Sequence, residues 1–170
     1  MAHAGHAHAE FDSTACALAH GAVDLAPDGR AVVAVFDSPV ARHLVHFAAT
    51  LGFKAALGDP FDASIVDDNT DVVVCDHDRP ELGVALRDAL ASPARWIGVM
   101  GNPRHMGPHV ELLRGLGVDD ADIARVRRPI GLNIGSRTPA EIALSTLAGL
   151  VADRNGRPGG FDFDGAAART

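Results

Sequence analysis

Two arginine-bearing turns hold the most specific chemistry in this sequence. The stretch "GNPRH", residues 101–105, sets Gly101, Asn102 and Arg104 directly after an apolar run. "GLNIGSRTPAE" repeats the logic: Gly131 and Gly135 free the backbone, Ser136 and Arg137 follow, and a helix start comes next. A guanidinium grips a phosphate through parallel N–H donors, and the N-terminus of a helix favours negative charge. Together on one edge the two turns point to a phosphorylated ligand. Taken singly, either one reads equally well as a surface arginine.

A third cluster is "CDHDRP", residues 75–80, where Cys75 ends an apolar run and Asp76 and His77 follow. A thiol beside an imidazole suits sulfur or metal chemistry. The same letters also describe a buried strand cysteine followed by a capping acid, since free cysteine is so often core filling. The other histidines make no comparable case. His3, His6 and His8 form a compositional tract, with weak metal uptake as the alternative. His43 and His46 stand three apart, and His105 and His109 four apart with Pro108 between them. Neither pair brings the third ligand a metal site needs.

The nucleotide question centres on "VVAVFDSPVARHLVHFAATLGF", residues 32–53, which has the outline of a strand, a tight turn and an amphipathic helix. Where a dinucleotide-binding turn reads G-x-G-x-x-G, this chain has Phe36, Ser38 and Ala41. Phe36 is expected to resist a positive φ, and Ser38 puts a Cβ where phosphate would lie. Ser38-Pro39 is nonetheless a good helix start, either a structural cap or a holder of one anion. Asp59 stands eighteen residues after Ala41, near the place of a ribose-binding acid, although an Asp before Pro is also an ordinary turn residue. An NAD(P)-binding oxidoreductase is thus favoured by the expected fold and by Asp59, and opposed by the first turn. NAD⁺ is expected to bind weakly, with phosphate recognition moved to Arg104 and Arg137.

These turns need elements to hold them. Apolar runs "AVVAVF", "FKAALG", "DVVVC" and "RWIGVMG" read as strands, alternating with helical patterns at 39–51, 80–91 and 109–117. "DDADIARV" reads as a short capped helix and "PIGLNIG" as an extended segment. The last helix, "TPAEIALSTLAGLVADRNG", has Thr138 as N-cap, Pro139 at its first position and Glu141 to complete a capping box. Strands buried on both faces and alternating with helices predict an α/β fold, a doubly wound Rossmann-like parallel sheet of at least four strands in a single domain. The ligand-binding turns would share the edge at the strands' carboxyl ends. Residues 1–30 read as an N-terminal extension with a possible short helix capped by Ser13, 31–156 as the folded domain, and 157–170 as a flexible tail.

Composition narrows the classes. The 170 residues carry a net charge of −7, which opposes a general nucleic-acid binder. No apolar run approaches the roughly 18 residues needed to cross a bilayer, and the first residues do not read as a signal peptide. Two cysteines without a paired motif fit a reduced, cytoplasmic protein. There is no tyrosine for a Tyr/Lys proton relay, and the single lysine, Lys54, follows no phosphate-binding loop. No nucleophile–base pair in the sequence demands turnover. A scaffold that binds a partner protein and no ligand is the third reading.

"ALASPARWIGVMGNPRH" and "RRPIGLNIGSRTPAEIALSTLAGLVADRNG" resemble the C-terminal Rossmann domain of the XdhC/CoxI family, maturation factors for molybdenum hydroxylases. The likeness runs from about Ala31 to Gly156 and is most specific in "PIGLNIGSRTPAEIA". It implies binding of the molybdenum cofactor, help with its sulfuration by a cysteine desulfurase, and delivery to a xanthine or carbon monoxide dehydrogenase apoenzyme. On that reading Gly101, Asn102, Arg104, Gly135, Ser136 and Arg137 build the phosphate edge beside Asp76 and His77, and Cys75 is a candidate for sulfur handling. Two departures stand out: the family's glycine-rich first turn is replaced by Phe36 to Ala41, and about 30 residues precede the first strand in place of a separate N-terminal domain. The resemblance implies that a partner subunit supplies that domain or that this is a stand-alone paralogue. A homo-oligomer is a further expectation.

Overall fold

A computed structural model describes residues 29–102, 107–157 and 159. Five parallel strands form one sheet: β1 (Ala31–Val35), β2 (Lys54–Gly58), β3 (Thr70–Val74), β4 (Trp96–Val99) and β5 (Val126–Arg127). Their order is β2-β1-β3-β4-β5. The helices are α1 (Pro39–Thr50), α2 (Leu82–Ala91), α3 (His109–Gly115), α4 (Asp120–Ile123) and α5 (Pro139–Arg154). A 3-10 turn at Ala63–Ile65 joins β2 to β3.

Side chains alternate across the strands and so build two cores. Val33, Val35, Val72, Val74, Ile97 and Val99 face α2 and α3, where Leu82, Leu86 and Leu113 are fully buried. Val32, Ala34, Val73 and Trp96 face α1 and α5, meeting Leu44, Leu147 and Leu150. Each fully buried leucine contributes roughly 1.5–3 kcal/mol through removal from water. Gly98 makes room within β4, because a Cβ there would run into the ring carbons of Trp96 and Ile130 Cγ2.

The parallel doubly wound sheet agrees with expectation, with one more strand than the minimum. That strand corrects the reading of the chain around it. Residues 129–135 are irregular, and β5 lies just before them at Val126–Arg127. Gly131 explains the irregular path. It holds φ +89°, and a Cβ would come within 2.8 Å of Ser145 Oγ and 3.1 Å of the Thr146 nitrogen. The segment therefore lies against α5, with Leu132 N–H donating to Ser145 O at 3.0 Å. Ser13 and its helix, and most of 157–170, fall outside the described residues.

Candidate functional site

With this strand order the chain leaves β1 to one side and returns to β3 on the other, so the switch point is at the carboxyl ends of β1 and β3. The first turn stands there. Phe36 bends the chain with φ 70°, which corrects the expectation that a phenylalanine would refuse that geometry. Its side chain explains the exception. The ring is 2% exposed, belongs to the core beneath α2, and lies 4.8 Å under the Arg79 guanidinium. Burial and a cation–π contact offset a backbone conformation that costs about 1–3 kcal/mol.

A ring of polar contacts closes the turn. Asp59 Oδ2 accepts from the Asp37 backbone N–H at 3.0 Å, and both Asp59 oxygens accept from Arg79 at 3.2 Å. The Asp37 N–H and then Arg79 hold the Asp59 carboxyl below its ordinary range. Asp37 itself accepts two hydrogen bonds from Arg42, at 2.7 and 2.6 Å. Ser38 caps α1 by accepting from Ala41 N–H at 3.1 Å. Two carboxylates thus stand at this mouth, where a pyrophosphate would need hydrogen-bond donors.

Across the switch point, Cys75 is 9% exposed and packs into the core facing α1 and α5. Its Sγ donates to Val73 O at 3.5 Å. Burial, and then the nearby Asp76 charge, push the thiol up to about 12, so at neutral pH it is protonated and a poor nucleophile. Asp76 Oδ1 accepts from Asp78 N–H at 2.9 Å, and His77 Nε2 lies 3.7 Å from Asp78 Oδ1. This is a local turn. Among the described residues no group of histidine, cysteine and carboxylate side chains could hold a metal ion.

The second arginine-bearing turn is organised around Glu141. Its Oε2 accepts from Arg137 N–H at 2.7 Å and Thr138 N–H at 3.0 Å, while Thr138 Oγ1 accepts from Glu141 N–H at 3.2 Å. The Arg137 and Thr138 N–H groups hold this carboxyl low. Ser136 Oγ donates to Glu141 O at 3.3 Å, and Gly135 supplies φ +69°. The capping box expected from sequence is present. Glu141's own carboxylate takes the N–H groups that a phosphate was expected to meet. Arg137 is exposed.

At the first arginine-bearing turn, Arg104 and His105 fall outside the described residues. The residues around them show a group that the sequence reading missed. Arg128, just past the carboxyl end of β5, lies against the bare backbone of Gly101 and Gly107. A Cβ on Gly101 would strike Arg128 Nη2, and one on Gly107 would come within 2.7 Å of both Arg128 Nε and His109 Nδ1. Arg128 Nη2 donates to Asn102 O at 3.5 Å. His109 is 9% exposed, and its Nδ1 is buried without a hydrogen-bond partner. Burial first, and then the Arg128 charge, hold His109 below its ordinary value. The signal was present in "VRRPI", where two arginines precede a proline at the carboxyl edge.

Arg79 was missed as well, although it follows "CDHD" directly. The structure thus brings Ser38, Asp59, Asp76 and His77 to the β1/β3 switch point, and Gly101 and Asn102 to Arg128 beyond β4 and β5. Gly135, Ser136 and Arg137 form a separate turn that opens α5.

Comparison with known proteins adds three findings. A crystal structure described as a xanthine dehydrogenase from Bacillus halodurans superposes with a TM-score of 0.58 at 20% identity, over 76% of this chain and 44% of that one. At that identity the likeness is one of fold. An uncharacterized protein of Escherichia coli strain K12, YqeB, is 39% identical over 77 residues, which are 45% of this chain and 14% of YqeB. The chain therefore spans less than half the length of either relative. The model of the XdhC Rossmann domain matches residues 32–150, from the first strand into the last helix, and the chain belongs to that family.

Proposed function

We propose that this domain is an accessory module for a molybdenum hydroxylase of the xanthine dehydrogenase type, and that it binds the phosphate-bearing end of the molybdenum cofactor. Two findings support that reading: the family, and the fold likeness to a protein described as a xanthine dehydrogenase. The observation that carries the ligand reading is the Arg128 guanidinium lodged against Gly101 and Gly107, with His109 beside it.

The residues at this edge fit a phosphate monoester. Two glycines leave backbone without side chains beside a cation, and burial strengthens each charge-assisted hydrogen bond the cation makes. The β1/β3 mouth fits a phosphate poorly, since Asp37 and Asp59 stand there as carboxylates. Arg128 would hold the phosphate, Gly101 and Gly107 leave the room that its guanidinium occupies, and His109 Nδ1 would gain a hydrogen-bond partner. The bound cofactor would bring the metal chemistry, which is used by the enzyme that receives it. Cys75, protonated and packed in the core, does not fit a sulfur-transfer role in this conformation. Sulfuration on this reading falls to a separate cysteine desulfurase.

Native mass spectrometry of the protein purified from a host that makes molybdenum cofactor tests the proposal. A copurified pterin, lost in Arg128→Ala, is the expected result. Pterin-free wild-type protein from such a host would overturn it.

A further inference from the structure

At the opposite edge of the sheet, the amino ends of β4 and β5 line a pocket of about 160 Å³ with Arg95, Trp96, Arg125 and Arg127. That is room for several waters or one small oxyanion. Arg95 donates to Asp71 at 2.6 Å and to Asp153 at 2.7 Å, and Arg154 shares Asp71 at 2.8 Å. Arg125 pairs with Asp122 at 2.9 Å and is steadied by Leu90 O at 3.3 Å. Arg127, exposed at the rim, has no ion pair among the described residues. Of the three guanidinia that line the pocket, Arg127 alone has no carboxylate partner among the described residues, in a protein whose net charge is −7.

One donor is unmet as well. Arg95 Nη2 is buried and has no hydrogen-bond acceptor, although the other two nitrogens of that guanidinium are each paired. A buried N–H of a charged group left without an acceptor is costly, and such groups in native proteins commonly meet water or an ion.

The structure assigns to this pocket a second anion-binding site, on the amino edge of the sheet, that takes an oxyanion of phosphate size between Arg95, Arg125 and Arg127. An oxyanion there meets the unpaired charge of Arg127, with Arg95 and Arg125 beside it. Arg125 and Arg127 flank it from the loop before β5 and from the strand itself. The site is independent of the carboxyl-edge reading, because none of its lining residues belongs to the Arg128 group. A free phosphate and the terminal phosphate of an organic monoester present the same chemistry to it.

Trp96 is the chain's single tryptophan and lines the pocket, so its emission reports occupancy directly. Inorganic phosphate titrated at constant ionic strength should give a saturable change in Trp96 fluorescence. Arg127→Ala should weaken that binding at least about tenfold, and Arg125→Ala should do likewise. Arg128→Ala should leave it in place. A parallel titration with glycerol 3-phosphate separates the sources: tighter binding of the monoester assigns the pocket to an organic phosphate, and tighter or equal binding of inorganic phosphate assigns it to the free ion. An absent or non-saturable response in the wild-type protein would overturn the assignment. So would a response unchanged in both Arg125→Ala and Arg127→Ala, or one abolished by Arg128→Ala.

Discussion

Phe36 holds a left-handed backbone that large side chains seldom adopt, and it does so with its ring buried beneath Arg79. The turn is thus kept by packing where a glycine would have kept it by freedom. Truncation should expose the dependence: Phe36→Ala is expected to cost about 3–5 kcal/mol in chemical denaturation. A loss under about 1 kcal/mol would show that the ring is dispensable. His109 makes a pH-dependent prediction. Burial and the Arg128 charge depress its folded-state value, so the unfolded chain takes up this proton first as pH falls. The stability from keeping it neutral is fully present above about pH 6.5, the ordinary histidine value, and is lost as pH drops from there toward the depressed value. The slope from this one group reaches at most about 1.4 kcal/mol per pH unit. Denaturation midpoints between pH 7 and 5.5 should fall less steeply in His109→Gln than in wild type. Equal slopes would contradict this.

At the scale of elements, α5 is held at its middle and at its C-terminus. At Ser145 and Thr146 it meets the bare backbone of Gly131, and at its C-terminus Arg154 reaches Asp71 and Asn69. Asp71 is fully buried at the start of β3 and takes both Arg95 and Arg154. Asp71→Asn removes the charge that both guanidinia share and replaces one acceptor oxygen with a donor, so it should cost about 3–5 kcal/mol in equilibrium unfolding. A change within about 0.5 kcal/mol would mean that solvent already screens the network. Such long-range pairs were not legible in the sequence, because residues 71 and 154 are related only by the fold. What was legible had local physics behind it. Thr138, Pro139 and Glu141 announce their cap within four residues, and the valine-rich runs announce doubly buried strands. β5, two residues long, is too short for any period to show, and Arg128 was hidden with it. At 135–137 the motif specifies the capping box, and Glu141 takes the Arg137 and Thr138 N–H groups that an anion would otherwise meet.

For the whole molecule, the doubly wound sheet gives two edges with different chemistry. The carboxyl edge carries a turn closed by carboxylates at β1/β3 and a cationic glycine cradle beyond β4 and β5. The amino edge carries the arginine pocket. Among the described residues no helix is long and apolar enough to cross a membrane. On the function proposed above, phosphate recognition has left the dinucleotide turn and belongs to Arg128. Calorimetry with a phosphorylated pterin and with NAD⁺, on wild type and on Arg128→Ala, tests it most directly. The account predicts pterin binding weakened about tenfold or more by the substitution, and NAD⁺ binding no tighter than about millimolar, or roughly 4 kcal/mol. Micromolar NAD⁺ binding that survives Arg128→Ala would contradict it.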